Sequence, residues 1–255
     1  MADIKRLEQE LSEILKSYKP ISLHEMDSVE LLSRTDTKYF FQVEMLKEIL
    51  TKTKNYYHVL DIKSHRQFQY YTTYFDTPEY LFYYNHQHGK LNRYKVRQRR
   101  YDLTGTEFFE VKFKTNKGWT QKSRILNMEN EYLNKSTNTF LKQCTPYTNS
   151  QLQKSIKNDF IRITLVNNQL NERATLDYNI SFSDSSHTVE FSNLGIIEIK
   201  QDSFSRHPMI MQILKELKIR PNGISKYCLG VGSLCNCVKT NMIKHNIYKI
   251  NNLLV

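Results

Sequence analysis

Glycine is scarce, with 7 in 255 residues, and none stands in a GxxxxGK[ST] or GxGxxG pattern. A glycine-rich loop that cradles phosphates with backbone N–H groups is therefore excluded, and any phosphate bound by this chain must be held by side chains. GxSxG is also absent, which removes the serine elbow of the common hydrolases. Only four cysteines occur, Cys144, Cys228, Cys235 and Cys237, too few for a disulfide framework in a chain of this length. Cys235 and Cys237 form a CxC without a second pair at zinc-finger spacing, so packing in a C-terminal helix is expected. His86 and His88 of HQHG read as residues of a polar turn rather than metal ligands. No run approaches the roughly 20 apolar residues that cross a bilayer, and the N-terminal MADIKRLEQELSEILKSY is charged and amphipathic, so the chain reads as cytoplasmic. Acid is in deficit as well: 26 Asp+Glu against 37 Lys+Arg leave a formal charge of +11. What is present in quantity is apolar material, 39% hydrophobic and 12% aromatic, which excludes global disorder and suffices for a sizeable core.

The periodicity changes along the chain. Ile4, Leu7, Leu11, Ile14, Leu15 and Tyr18 recur at helical spacing up to Pro20, predicting an amphipathic helix over 2–18. From about 36 to 127 the segments are rich in β-branched and aromatic residues, and strands resume at FIRITLV, ERATLDYNISF and GIIEIK after a polar stretch over 128–158 that suggests short helices. Two helices are expected to close the chain, one after Pro208 and one over ISKYCLGVGSLCNCVK. No repeat or linker divides the sequence, so one domain over 1–255 is expected.

Alternate residues of a strand face opposite ways, and sorting by parity exposes a repeated design. Arg93, Lys95, Arg97 and Arg99 share a face against Tyr94, Val96 and Gln98. Glu110, Lys112 and Lys114 oppose Val111 and Phe113; Lys122 and Arg124 fall together; Arg162 and Thr164 oppose Ile161, Ile163 and Leu165. Arg173, Thr175 and Asp177 oppose Ala174, Leu176, Tyr178 and Ile180, and Glu198 and Lys200 oppose Ile197 and Ile199. Such faces can be the solvated side of an antiparallel sheet or an open nucleic-acid surface. If instead the sheet curls with its charged face inward, the confined cations call for a multivalent anion, and arginine's planar fork suits phosphate oxygens. Asp177 and Asp36 then serve to hold neighbouring cations, and Tyr70, Tyr71, Tyr74 and Phe75 read as core.

The ordered motifs SRTDTKYFF, YFDTPEYLFYYNHQHGKLNRYKVRQRRY, FEVKFKTNKGWTQKSRI, ERATLDYNI, IIEIK and GISKY resemble, over about residues 24–232, the VTC domain of polyphosphate polymerases, in the triphosphate tunnel metalloenzyme superfamily. The resemblance implies an α+β fold: an antiparallel β-barrel tunnel with helices packed outside. It also implies a divalent metal, Mn2+ or Mg2+, and transfer of the terminal phosphate of a nucleoside triphosphate such as ATP to a growing polyphosphate chain. By motif, Arg97, Arg99, Lys112, Lys122, Arg124, Arg162, Arg173 and Ser225 match phosphate-binding positions, and Glu198 matches the metal-ligating glutamate. Lys38, Lys200 and Lys226 match lysines that would steer the chain and the leaving group. Phe160 stands where some members have tyrosine, which removes a hydroxyl contact to phosphate.

Two rivals remain: a triphosphate hydrolase of the same superfamily, and a non-catalytic polyanion- or nucleic-acid-binding module. SRTDTKY in place of the hydrolases' ExExK favours the polymerase, and no RRM, KH or zinc signature points to nucleic acid. The phosphate-sensing SPX domain and the membrane segments of eukaryotic members have no counterpart here, so the expected partners are the triphosphate and polyphosphate, with an unidentified membrane-associated protein as a further candidate. Removing Arg97 and Arg99 together is expected to abolish triphosphate binding while leaving the fold intact.

Overall fold

A computed structural model describes residues 2–27, 34–129, 131–202, 208–223 and 225–253. The elements run α1 (Ala2–Lys16), β1 (Lys19–Ile21), α2 (Leu23–Asp27), β2 (Arg34–Gln42), α3 (Met45–Thr53), β3 (Tyr57–Leu60), β4 (Phe68–Asp76), α4 (Leu81–Gln87), β5 (Arg93–Tyr101), β6 (Thr106–Lys114), β7 (Thr120–Leu126), α5 (Lys135–Cys144), β8 (Gln153–Asn167), β9 (Glu172–Ser183), β10 (Thr188–Phe191), β11 (Leu194–Asp202), α6 (Met209–Glu216), α7 (Lys226–Leu234) and α8 (Lys244–Leu253).

The periodic N-terminal helix is there as expected: Leu11 and Leu15 are fully buried with Leu46, Ile49 and Leu50 of α3. Just past it, the Tyr18 hydroxyl donates to the Leu50 carbonyl at 2.6 Å. Helices α3 and α4 interrupt the region expected to be all strand, and β8 begins at Gln153, inside the stretch expected to be helical. Helix α7 ends at Leu234, so Cys235 and the exposed Cys237 lie beyond it rather than packed within it, and α8 is a third closing helix.

The sheet follows the order β2-β11-β9-β8-β4-β5-β6-β7, all antiparallel, with β10 beside β9 and β3 beside β8; β1 joins β3 in parallel. Its two end strands, β2 and β7, are not paired with each other, so the sheet is open and the closed barrel is not formed by backbone hydrogen bonds. It is nevertheless strongly curled. Lys112 of β6 lies close enough to Glu198 of β11, and Lys38 of β2 to Lys95 of β5, for their charges to interact across strands far apart in the order.

Parity holds along most strands. Ile161, Ile163, Leu165, Ala174, Leu176, Tyr178, Ile197 and Ile199 form the convex face and pack under α1, α3 and α6. Val96, Phe109 and Val111 pack with Phe140 and Leu141 of α5. One expectation is corrected. Asn179 has a positive φ of 50°, and the β8–β9 register slips between Asp159 and Ile161, forming a bulge that turns the remainder of β9 over. Ile180 therefore leaves Tyr178 and joins Phe160 and Phe182 beneath α7. The helices are not all outside either: α4 and α7 reach the concave, charged face, as the bonds of His86 and Lys226 described below show.

Candidate functional site

Three carboxylates organise the concave face, each held between two cations from different elements. Glu110 of β6 is fully buried; it accepts from Arg97 Nε at 2.6 Å and also pairs with Lys122 of β7. Asp177 of β9, 2% exposed, takes the fork of Arg162 from β8 at 2.6 and 2.7 Å and also meets Lys226 at the start of α7. Glu198 of β11 stands between Lys38 of β2 at 3.2 Å and Lys200 at 2.9 Å. The ladder produces these pairs: Arg97 lies opposite Glu110, Arg162 opposite Asp177 and Lys38 opposite Glu198.

Burial alone would push all three carboxyls up, but the cations outweigh it. Glu110 is held well below the usual carboxylate range by Arg97, Arg99 and Lys122, Glu198 by Lys200, Lys38 and Lys112, and Asp177 is drawn down to about 2 by Arg162 and Lys226. All three stay ionised.

Cations exceed these anions. Arg99 is buried and, among the described residues, pairs with no carboxylate. Its guanidinium donates to Thr72 at 3.3 Å and lies 5.5 Å from the Tyr70 ring centre and 5.9 Å from that of Phe160. Arg162 also lies 5.1 Å from both rings, and Lys226 4.7 Å from Phe160. The stacked Tyr70 and Phe160, with centroids 5.3 Å apart, are thus part of the site rather than inert core, a role that strand alternation alone could not reveal. Lys112 likewise has no carboxylate within ion-pair distance among the described residues, and Arg97 and then burial hold its ammonium well below the ordinary lysine range.

The remaining expected residues divide. Lys95, on the expected face but outside the expected site set, donates from Nζ to or shares its proton with His86 at 2.9 Å. His86 is thus a half-buried helix residue facing the cations, not a solvated turn residue, and burial with Lys95 and Arg93 beside it drives its pKa far down, so it is neutral. Arg124 shares the face of Lys122 but sits exposed on the end strand, 4.5 Å from the Phe108 ring centre. Arg173, half-buried, lies opposite Lys200 in the ladder. The Ser225 hydroxyl caps α7, accepting from Cys228 N at 3.1 Å. Asp76, fully buried, ties the two concave-side helices together: it accepts from Phe82 N and Tyr83 N at the start of α4, and from the Tyr227 hydroxyl of α7 at 2.5 Å.

For a divalent metal the donor set is narrow. No group of three His, Cys, Asp or Glu side chains is placed to hold an ion among the described residues. A hard ion such as Mg2+ commonly needs only one or two carboxylates when phosphates and water complete its shell, and Glu198, ionised and 21% exposed, fits that mode; an all-protein cage is absent from the described residues.

The curled antiparallel sheet agrees with a comparison to solved structures. A Bacillus halodurans protein described as an adenylate cyclase shares 14% identity, over 80% of this chain and 98% of its own, at a TM-score of 0.52. A Vibrio parahaemolyticus protein described likewise shares 13% over 78% and 97% at 0.48. A Hippeastrum protein, described as revealing a dominant triphosphatase activity, shares 12% over 78% and 95% at 0.45. No curated relative matches the chain. At such identity the likeness speaks for the fold alone, an antiparallel, sheet-rich α+β fold shared with the Bacillus halodurans protein. The sequence itself matches the VTC domain over residues 33–235, and the chain belongs to the VTC domain family.

Proposed function

We propose that this protein is a polyphosphate polymerase, transferring the terminal phosphate of a nucleoside triphosphate, ATP in the first instance, to a polyphosphate chain held along the concave face. The observation that carries this reading is the cation excess at the buried Arg99 and the half-buried Lys112, beside three carboxylates that already have their own cation partners. Phosphoryl transfer needs positioning and charge neutralisation more than covalent chemistry by the protein. Arg99 and Lys112 meet the incoming phosphates first. Arg97, Lys122, Arg162 and Lys226 stand around them, their geometry set beforehand by Glu110 and Asp177, so little reorganisation is needed as charge develops, and Arg173 joins them from its place opposite Lys200. Lys38 and Lys200 exchange part of their hold on Glu198 for phosphate oxygens and steer the leaving group. Arg124 extends the cationic track at the open edge. A divalent ion, Mn2+ or Mg2+, would be held by Glu198 and the phosphate oxygens, and when bound would neutralise charge on the transferring group.

The test is incubation with ATP and Mn2+, followed by a gel stained for polyphosphate. A ladder of long acid-labile chains with little free phosphate is expected. Accumulation of free phosphate or pyrophosphate alone replaces this reading with a tunnel hydrolase, and intact ATP replaces it with a binding module.

A further inference from the structure

The most exposed large apolar side chain among the described residues is the chain's single tryptophan, Trp119, 65% exposed; Leu91 is 59% exposed. They lie on two neighbouring loops at one end of the sheet, just beyond the row where Arg93 of β5 stands opposite Lys114 of β6, and Lys114 opposite Thr120 of β7. Both loops are built rather than slack. Asn116 N donates to Asn92 Oδ1 at 2.9 Å, joining one loop to the other. Thr115 N donates to Trp119 O at 2.9 Å and closes the β6–β7 turn over Gly118, whose φ of 86° glycine permits. Arg93 donates to Lys90 O at 2.7 Å and braces the other loop. The geometry thus holds two apolar side chains out in water.

Their surroundings carry one sign of charge. The loops and their flanks, Gly89–Arg93 and Lys114–Thr120, contain Lys90, Arg93, Lys114 and Lys117, and no aspartate or glutamate. A protruding tryptophan and leucine ringed by lysines at a loop tip have the chemistry of an interfacial anchor: the indole and the aliphatic chain enter the headgroup boundary, and each nearby lysine gains from anionic lipid. We propose that this end of the molecule docks on a bilayer surface bearing anionic headgroups, with Trp119 and Leu91 as the inserting side chains and Lys90 and Lys117 as the electrostatic contacts. Docking in this pose would hold the Arg93–Lys114 end of the concave face toward the membrane. The proposal stands independently of the catalytic reading, since it concerns exposed groups outside the ion-paired site.

Because Trp119 is the only tryptophan, its fluorescence reports insertion without labelling. The intact protein is titrated with vesicles of phosphatidylcholine alone and of phosphatidylcholine with 30 mol% phosphatidylglycerol (roughly the anionic content that gives a strong surface potential). A blue shift and quenching by brominated acyl chains are expected with the anionic vesicles only. Lys90→Glu with Lys117→Glu should lower vesicle affinity at least tenfold, and Leu91→Asp should lower it with circular dichroism unchanged, whereas Lys5→Glu on α1 should not. Trp119 remaining in water with anionic vesicles, an equal response to neutral ones, binding untouched by the double reversal, or a blue shift produced instead by single-stranded RNA or free polyphosphate would each overturn the proposal. ATP turnover in vesicle-free buffer is measured in parallel, so loss of lipid binding and loss of catalysis are read separately.

Discussion

Asp177 and Arg162 face each other across the β8–β9 ladder and meet in a two-point fork, Nε to Oδ1 at 2.6 Å and Nη2 to Oδ2 at 2.7 Å. The same carboxylate also reaches Lys226, so one anion holds a strand arginine and a helix-start lysine at once. Asp177→Asn would leave two half-buried cations short of a counter-charge. A loss of about 3–5 kcal/mol in urea unfolding is expected without ligand, and tripolyphosphate should restore part of it by supplying the missing negative charge. A variant that unfolds at the wild-type midpoint would show that the clamp does not hold the face together.

Arg97 and Arg99 separate in a way their KVRQRRY motif conceals. Removing both was expected to spare the fold, but Arg97 is a principal partner of the fully buried Glu110, and deleting it leaves that interior carboxylate with Lys122 as its remaining ion-pair partner among the described residues. Arg97→Met should cost about 3 kcal/mol or more. Arg99→Met removes a cation that pairs with no carboxylate among the described residues, and should leave the melting temperature unchanged or higher while triphosphate binding weakens by about 1.5–3 kcal/mol, roughly ten- to a hundredfold. Calorimetric titration with scanning calorimetry on the two single variants distinguishes them.

Glu198→Gln keeps the side-chain shape and removes the charge between Lys38 and Lys200. Turnover should collapse at every metal concentration, while metal-free polyphosphate binding should survive or tighten, because two lysines are released. Unchanged turnover removes Glu198 from the mechanism.

Proton linkage follows from the crowded lysines. Burial brings Lys95, Lys122 and Lys226 down to about 8, and Arg97 with burial holds Lys112 lower than usual. Bound phosphate favours their charged forms, so binding at pH 8 should take up protons, measured as a dependence of the binding heat on buffer ionisation enthalpy, and affinity should fall as pH rises. In the free protein the unfolded chain binds the extra protons between about 8 and the ordinary 10.5, so these lysines make stability rise with pH across that window. Zero net proton uptake at pH 8 would contradict this assignment.

A separate buried acid lies away from the concave face. Glu172 accepts from the Tyr57 hydroxyl at 2.5 Å, and that hydroxyl in turn accepts from Ile210 N at 3.1 Å. Burial raises Glu172 from 4.5 to about 7. The folded state thus holds a proton that the unfolded state releases, and the stability this contributes is full below about 4.5 and lost as pH rises through about 7. Glu172→Gln should match the wild type at pH 5 and exceed it by about 1–3 kcal/mol at pH 8 in urea unfolding. An identical pH profile in both proteins refutes the linkage.

Much of this was legible along the chain because strand alternation is local. Arg97 and Arg99 share a face with Lys95 from their spacing alone, and the order of the basic motifs carried the family. Where local rules broke, they broke for local reasons too: the left-handed Asn179 and the register slip beside it turn Ile180 over, and a parity count has no means of registering an extra residue.

By itself the sequence determined the charge excess, the two-faced strands and the absence of a glycine phosphate loop. Which cation meets which carboxylate was decided only by the tertiary structure. Lys226 lies 49 residues from Asp177, and Lys38 comes to Glu198 only because β2 closes on β11. Whether an arginine clamps a carboxylate, like Arg97, or lies against an aromatic pair, like Arg99, depends on the strand laid opposite it, and composition and spacing carry no record of that neighbour.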